Sequence, residues 1–122
     1  MVGYGCKLFA PSRSPDEPIK VLEEFLMALS LSDYKAAYTY IAPSSKISGD
    51  PVVDNTPLDY KSFVKEIAGT YKYSNYKLGD YRWESNERFY IWINFTNGDN
   101  DEALLVLEND QWYVADPIHI IR

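Results

Sequence analysis

Near Gly69 the hydrophobic period of the chain changes, and that change limits what it can fold into. Before this point apolar residues recur at three- and four-residue spacing, as they do along one face of a helix; beyond it they alternate, as they do along a strand. Helices gathered in one half and strands in the other predict an α+β domain, with the helices laid on one face of an antiparallel sheet. The expected order is three N-terminal helices and then a four-stranded meander, with a fifth strand at one edge.

The first helix carries its own start signals. Ser14 is a capping residue, Pro15 suits the first helical position, and Glu17 completes a capping box with Ser14. Asp16 adds negative charge at the positive end of the helix dipole. Val21, Leu22, Phe25, Leu26 and Leu29 form its apolar stripe. The second helix is expected to begin at Ser32 or Asp33, to bury Tyr34, Ala37, Tyr38 and Ile41, and to end at Pro43. The segment 44–56 reads as a loop whose aspartates and asparagine serve turns, without the ligand ladder of a calcium loop. Thr56 as cap, Pro57 at the first position and Asp59 predict a third helix that buries Tyr60, Phe63, Val64 and Ile67 and leaves through Gly69.

The first strand is expected from Tyr71, with a bulge near Gly79 before it resumes at Tyr81-Arg82-Trp83. After a turn at 84–87, Phe89, Ile91, Ile93 and Phe95 alternate with Tyr90, Trp92, Asn94 and Thr96. The odd-numbered set is assigned to the helix side, leaving Tyr90 and Trp92 on the outer face. Gly98 lies in a second turn. Ala103, Leu105 and Leu107 alternate with Leu104 and Val106, and this apolarity on both faces predicts a central or doubly covered strand. Asn109-Asp110 is a tight reversal into Gln111-Trp112-Tyr113-Val114, and beyond Pro117 the residues Ile118 and Ile120 extend the sheet as an edge.

With 122 residues, 46% of them hydrophobic, the chain suits one domain with a real core. Its tyrosine and tryptophan content, 11 and 3, favours sheets, pocket linings and interfaces. A formal charge of -6 and the lack of any lysine and arginine run argue against nucleic acid and against an anionic membrane surface. No apolar run reaches the length of a transmembrane segment. The single cysteine, Cys6, excludes an internal disulfide and a thiolate metal cluster, and no metal site or cofactor is expected. Gly5-Cys6, followed by the proline- and serine-containing stretch 11–15, resembles the end of a bacterial lipoprotein signal. That resemblance implies lipidation at Cys6 and an extracytoplasmic domain anchored at the cell envelope. An exposed cysteine in a frayed terminus of a cytoplasmic protein is the other reading. Either way, residues 1–13 are taken as a tether and 14–122 as a single domain.

Phe25, Leu26, Ala28, Leu29, Asp33, Tyr34, Ala37 and Tyr38 in the first two helices, together with the ending L-x-x-E-N-D-x-W-Y-V from Leu105 to Val114, resemble the nuclear-transport-factor-2-like superfamily. Its fold is cone-shaped and also called cystatin-like. The resemblance implies a curved sheet wrapped round the first helix, with a cavity between helices and sheet. The style is closest to small bacterial envelope domains and lipoproteins of undefined function.

Enzymes of that superfamily, among them isomerases, cyclases and dehydratases, place acids or histidines in the cavity. Here the only histidine, His119, falls in the final apolar stretch, and no acid interrupts the inward face from Phe89 to Phe95. Asp33 and Asp59 already serve helix starts, and Glu66 is the remaining acid near the helical rim. A non-catalytic accessory domain is therefore expected, with a small cyclase, dehydratase or isomerase as the alternative. Tyr38, Tyr60, Phe63 and Tyr71 are the expected lining for a small apolar ligand. Trp83, Tyr90, Trp92 and Trp112 are the expected outer-face contact, either with another protein or between two copies of this chain.

Overall fold

In the computed structural model, the described residues are 13–45, 57–66, 75–96 and 98–115. The expectations for Cys6, the loop 46–56, Ile67, Gly69, Tyr71, Ile118, His119 and Ile120 lie outside them. The fold is α+β, and its described strands form one four-stranded antiparallel sheet.

Helix α1 (Asp16–Ser30) starts where the sequence places its signals. The Ser14 hydroxyl oxygen accepts a hydrogen bond from the Asp16 amide at 3.1 Å, and the Pro15 carbonyl accepts from the Ile19 amide at 3.2 Å. The side-chain cap thus reaches the amide two residues on, rather than the Glu17 amide that a capping box requires. Pro18, Leu22, Phe25, Leu26, Ala28 and Leu29 are its buried residues. A stripe this wide covers a sheet, and α1 packs on β4 (Gln111–Ala115) and on β3 (Asn100–Glu108).

The α1 exit is a Schellman turn. Ser32 takes a left-handed φ of 58°, its amide donates to the Leu29 carbonyl, and the Asp33 amide donates to the Ala28 carbonyl. Asp33 then caps the next helix, α2 (Tyr34–Thr39), by accepting from the Ala36 amide at 3.3 Å. One residue thereby closes one helix and opens the next, which is why the joint is so short.

Helix α2 stops before the expected end at Pro43. From Tyr40 the chain turns onto the free edge of β4. The Val114 amide donates to the Tyr40 carbonyl at 2.7 Å and the Ala42 amide to the Val114 carbonyl at 2.9 Å, so Ile41 and Val114 form a parallel bridge. Ile41 is buried as expected, but in this strap rather than on a helix. Buried backbone groups at the edge of β4 need partners, and bonding them outweighs another half-turn of helix. The strap continues through Ser45, whose carbonyl accepts from the Leu58 amide at 3.1 Å. Helix α3 (Tyr60–Glu66) begins three residues later than its sequence signals suggest, with the Asp59 carboxylate accepting from the Ser62 amide at 2.8 Å; Thr56, the expected cap, lies outside the described residues.

The sheet order is β1-β2-β3-β4, where β1 is Tyr76–Ser85 and β2 is Arg88–Phe95. The β1–β2 pairing shifts register between Leu78 and Tyr81, at the expected bulge, and again between Trp83 and Ser85. Phe89, Ile91, Ile93 and Phe95 are all buried against the helices. Strand β3 is internal, and its outward residues find some cover: Val106 packs with Ala42 and Ala115, beside Leu104 and Tyr113. The β3–β4 reversal is a two-residue turn with φ of 52° at Asn109 and 63° at Asp110, the hand that matches strand twist.

Candidate functional site

Three of the four expected cavity residues come together. The Tyr38 ring meets Tyr60 edge-on at 5.5 Å and Phe63 at 5.6 Å, and Phe63 in turn packs on Phe25 at 6.4 Å. Asp59 and Asp33 position the group by starting the helices that carry it. Phe63 is fully buried, and the Tyr38 hydroxyl already donates to the Leu58 carbonyl at 3.0 Å. Only Tyr60 is substantially exposed. The cluster therefore joins α1, α2 and α3, and two of its three rings are used up in that packing. The fourth residue, Tyr71, lies outside the described residues.

The four aromatic residues expected on the outer sheet face divide. Trp112 is buried at 5% exposure and belongs to the main core, and Trp83 packs against that same core. Trp83 contacts Phe89 at 4.9 Å and Trp112 at 5.8 Å, both edge-on. The outward assignment of these two is thus corrected. For Trp83 the cause is the register shift before Ser85, which sets it opposite inward-facing Phe89. For Trp112 it is the tight Asn109-Asp110 turn, which sets it opposite Leu107.

Tyr90 and Trp92 do face outward. Trp92 is 43% exposed in mid-strand, opposite Glu102. Tyr90 lies between two arginines: the Arg82 guanidinium sits 3.9 Å from the centre of its ring, and Arg88 donates to its hydroxyl at 3.2 Å. Arg82 is also 3.4 Å from the Glu102 carboxylate, and Arg88 pairs with Glu84. Hydrogen bonds to Glu84 and Tyr90 raise the Arg88 pKa further above its ordinary value. Beside Trp92 the β1 bulge opens a cleft of about 70 Å³, lined by Asp80, Tyr81, Arg82, Trp92 and Glu102. Gly79 permits the close approach, since a Cβ there would stand 3.0 Å from Asn94 Nδ2 and 3.4 Å from the Trp92 Cβ.

Sequence reasoning missed Asp80, Arg82 and Glu102 in this group. The bulge signal was visible, but which of its neighbours turn toward Trp92 depends on the cross-strand register.

A second, wider groove of about 340 Å³ runs along α1, lined by Lys20, Glu23, Glu24, Met27 and Tyr76. Burial first and then the charge of Glu23 raise the Tyr76 phenol pKa above its ordinary 10.0. Of the three acids weighed for catalysis, Asp33 and Asp59 cap helices, and the Glu66 side chain lies outside what the structure describes. Hydrogen bonding from Ser62 also holds the Asp59 carboxyl below its ordinary pKa. Among the described residues no three His, Cys, Asp or Glu side chains converge as metal ligands would, and no helix is long and apolar enough to cross a membrane.

Comparison with protein families, curated proteins and solved structures gives no match for this chain.

Proposed function

We propose that this chain is a non-catalytic accessory domain that binds another protein through the outer face of its sheet, on a cone-shaped scaffold of the nuclear-transport-factor-2-like kind. The observation that carries the reading is Trp92, a large aromatic 43% exposed in the middle of a regular strand, beside the ordered Arg82, Tyr90 and Glu102. Tryptophan, tyrosine and arginine are the residue types that dominate binding energy at protein interfaces. Here backbone pairing on both sides of β2 fixes their spacing, so little ordering is left for association to impose. A second copy of this chain is one partner that such a face could take.

Support for the scaffold comes from α1 lying across β3 and β4 and from two irregularities that bend β1. Support for binding rather than catalysis comes from the apolar inner face of β2 and the capping roles of Asp33 and Asp59. The protein-binding reading is preferred to an apolar ligand at Tyr38, Tyr60 and Phe63 because Phe63 is sealed and the Tyr38 hydroxyl is engaged.

The test is photo-crosslinking in the native host from a benzoylphenylalanine placed at position 92, with position 35 on exposed α2 as control. Defined protein adducts, to itself or to another chain, are expected from position 92 and not from 35. No adduct at 92, or the same adducts from both positions, refutes the reading.

A further inference from the structure

The cleft beside Trp92 has the chemistry of a receptor for a cation. Its aromatic wall is Trp92, 43% exposed on the outer face, while the Tyr81 ring turns to the other side of the sheet, where it packs on inward-facing Phe89 at 5.2 Å. Trp92 has no aromatic or cationic ring partner among the described residues. Two carboxylates and one guanidinium share the lining. Arg82 is occupied, held over Tyr90 and paired with Glu102, whereas exposed Asp80 has no ion-pair or hydrogen-bond partner among the described residues. One negative charge therefore stands uncompensated next to an open indole face. Aromatic faces attract cations, and a neighbouring carboxylate strengthens that attraction. The Arg82–Tyr90 pair shows the same recognition already at work within this sheet.

We propose that this cleft docks a lysine ammonium from a basic segment of the partner protein, with the Trp92 indole as its aromatic wall and Asp80 as its counter-ion. The inference rests on the protein-binding reading above and supplies the chemistry of the partner. A space of about 70 Å³ takes one cationic head group but falls well short of the several hundred Å³ of a small-molecule site. The remainder of the binding surface must then come from a chain lying across the sheet. An overall charge of -6 favours approach of a basic segment and gives the association a salt dependence.

The experiment titrates the 15N-labelled full chain with hexalysine and follows backbone amides and tryptophan indole N–H signals. Saturable shifts are expected at the Trp92 indole and the amides of Asp80, Tyr81 and Glu102. Affinity is expected to fall about three- to tenfold in Trp92→Ala and in Asp80→Asn. Trp92→Phe should recover part of the loss, and fully acetylated hexalysine should leave the site untouched. Both variants change exposed residues, and an unchanged amide spectrum elsewhere confirms their fold.

Shifts spread over all acidic surfaces, or binding unaffected by Trp92→Ala and Asp80→Asn, overturn the proposal as general attraction between opposite charges. Tetramethylammonium binding as tightly as hexalysine overturns it in favour of a small-cation site. If crosslinks form at position 92 while hexalysine leaves the cleft unmoved, the interaction face stands and its basic partner does not. If neither is seen, both fail.

Discussion

At the level of single residues, the two tryptophans Trp92 and Trp112 separate packing from display. Trp112 lies in the core against Trp83, and truncating such a ring removes its transfer energy and leaves a cavity. Trp112→Ala is expected to lower stability by about 3–5 kcal/mol, whereas Trp92→Ala changes it by less than about 1 kcal/mol, because much of the ring is already in water. Urea unfolding of the two variants checks the contrast, and equal losses would show that both rings belong to the core. The sequence alone held enough to place Trp112 correctly. A two-residue turn at Asn109-Asp110 pairs Leu107 with Trp112, and Leu107 shares parity with inward Leu105. Trp83 was not legible in that way. The shift between Trp83 and Ser85 inverts the parity that simple counting back from the turn would give, and no residue type marks it. The alternation of Phe89 to Phe95 needed no such correction, since four apolar residues on one side and mixed residues on the other leave one arrangement that keeps water out.

Among the elements, local backbone chemistry sets the joints. Ser32 and Asp110 hold positive φ with an ordinary side chain, a conformation that costs such residues roughly 1–2 kcal/mol and glycine nothing. Ser32 could be read from sequence only as a cap, since serine is common there; its role as the left-handed residue of a Schellman turn emerges once Asp33 takes the cap. Ser32→Gly and Asp110→Gly are each expected to stabilise the fold by about 0.5–1 kcal/mol, the gain in φ exceeding the added freedom of the unfolded chain. Thermal unfolding of the single and double variants measures it. The sites lie in separate turns, so the two gains should add, and a destabilised double variant would contradict the argument. The early end of α2 shows what local signals do not contain. Helical spacing persists through Ile41, and Pro43 marks the obvious stop, but the bridge from Ile41 to Val114 joins residues far apart in sequence. Tertiary pairing overrides propensity there, just as Asp59 overrides the earlier start signal at Thr56 and Pro57.

Across the whole molecule, α1 is the beam on which sheet and helices meet, and its solvent side is acidic where two tyrosines approach it. Burial, then the charge of Glu24, then a hydrogen bond to Glu24 raise the pKa of Tyr40, in the strap that reaches β4; burial and then Glu23 raise that of Tyr76, at the start of β1. Both phenols are therefore harder to ionise in the folded chain than in the unfolded one, where each returns to about 10.0. A group held protonated by folding contributes stability that is fully present below its unfolded pKa and is lost as pH rises through the higher folded value. Stability is thus expected to be level with respect to these two groups up to about pH 10 and to fall above it, as ionised phenols meet the carboxylates of α1. The decisive quantity is a difference between variant and wild type. In the double variant Tyr40→Phe and Tyr76→Phe, unfolding free energy from urea titrations between pH 9 and pH 11.5 should decline less steeply than in the wild type, even if the variant starts lower for want of the Tyr40–Glu24 hydrogen bond. Parallel declines would mean that neither phenol is held neutral by its place beside α1. A steeper decline in the variant would reverse the sign of the linkage.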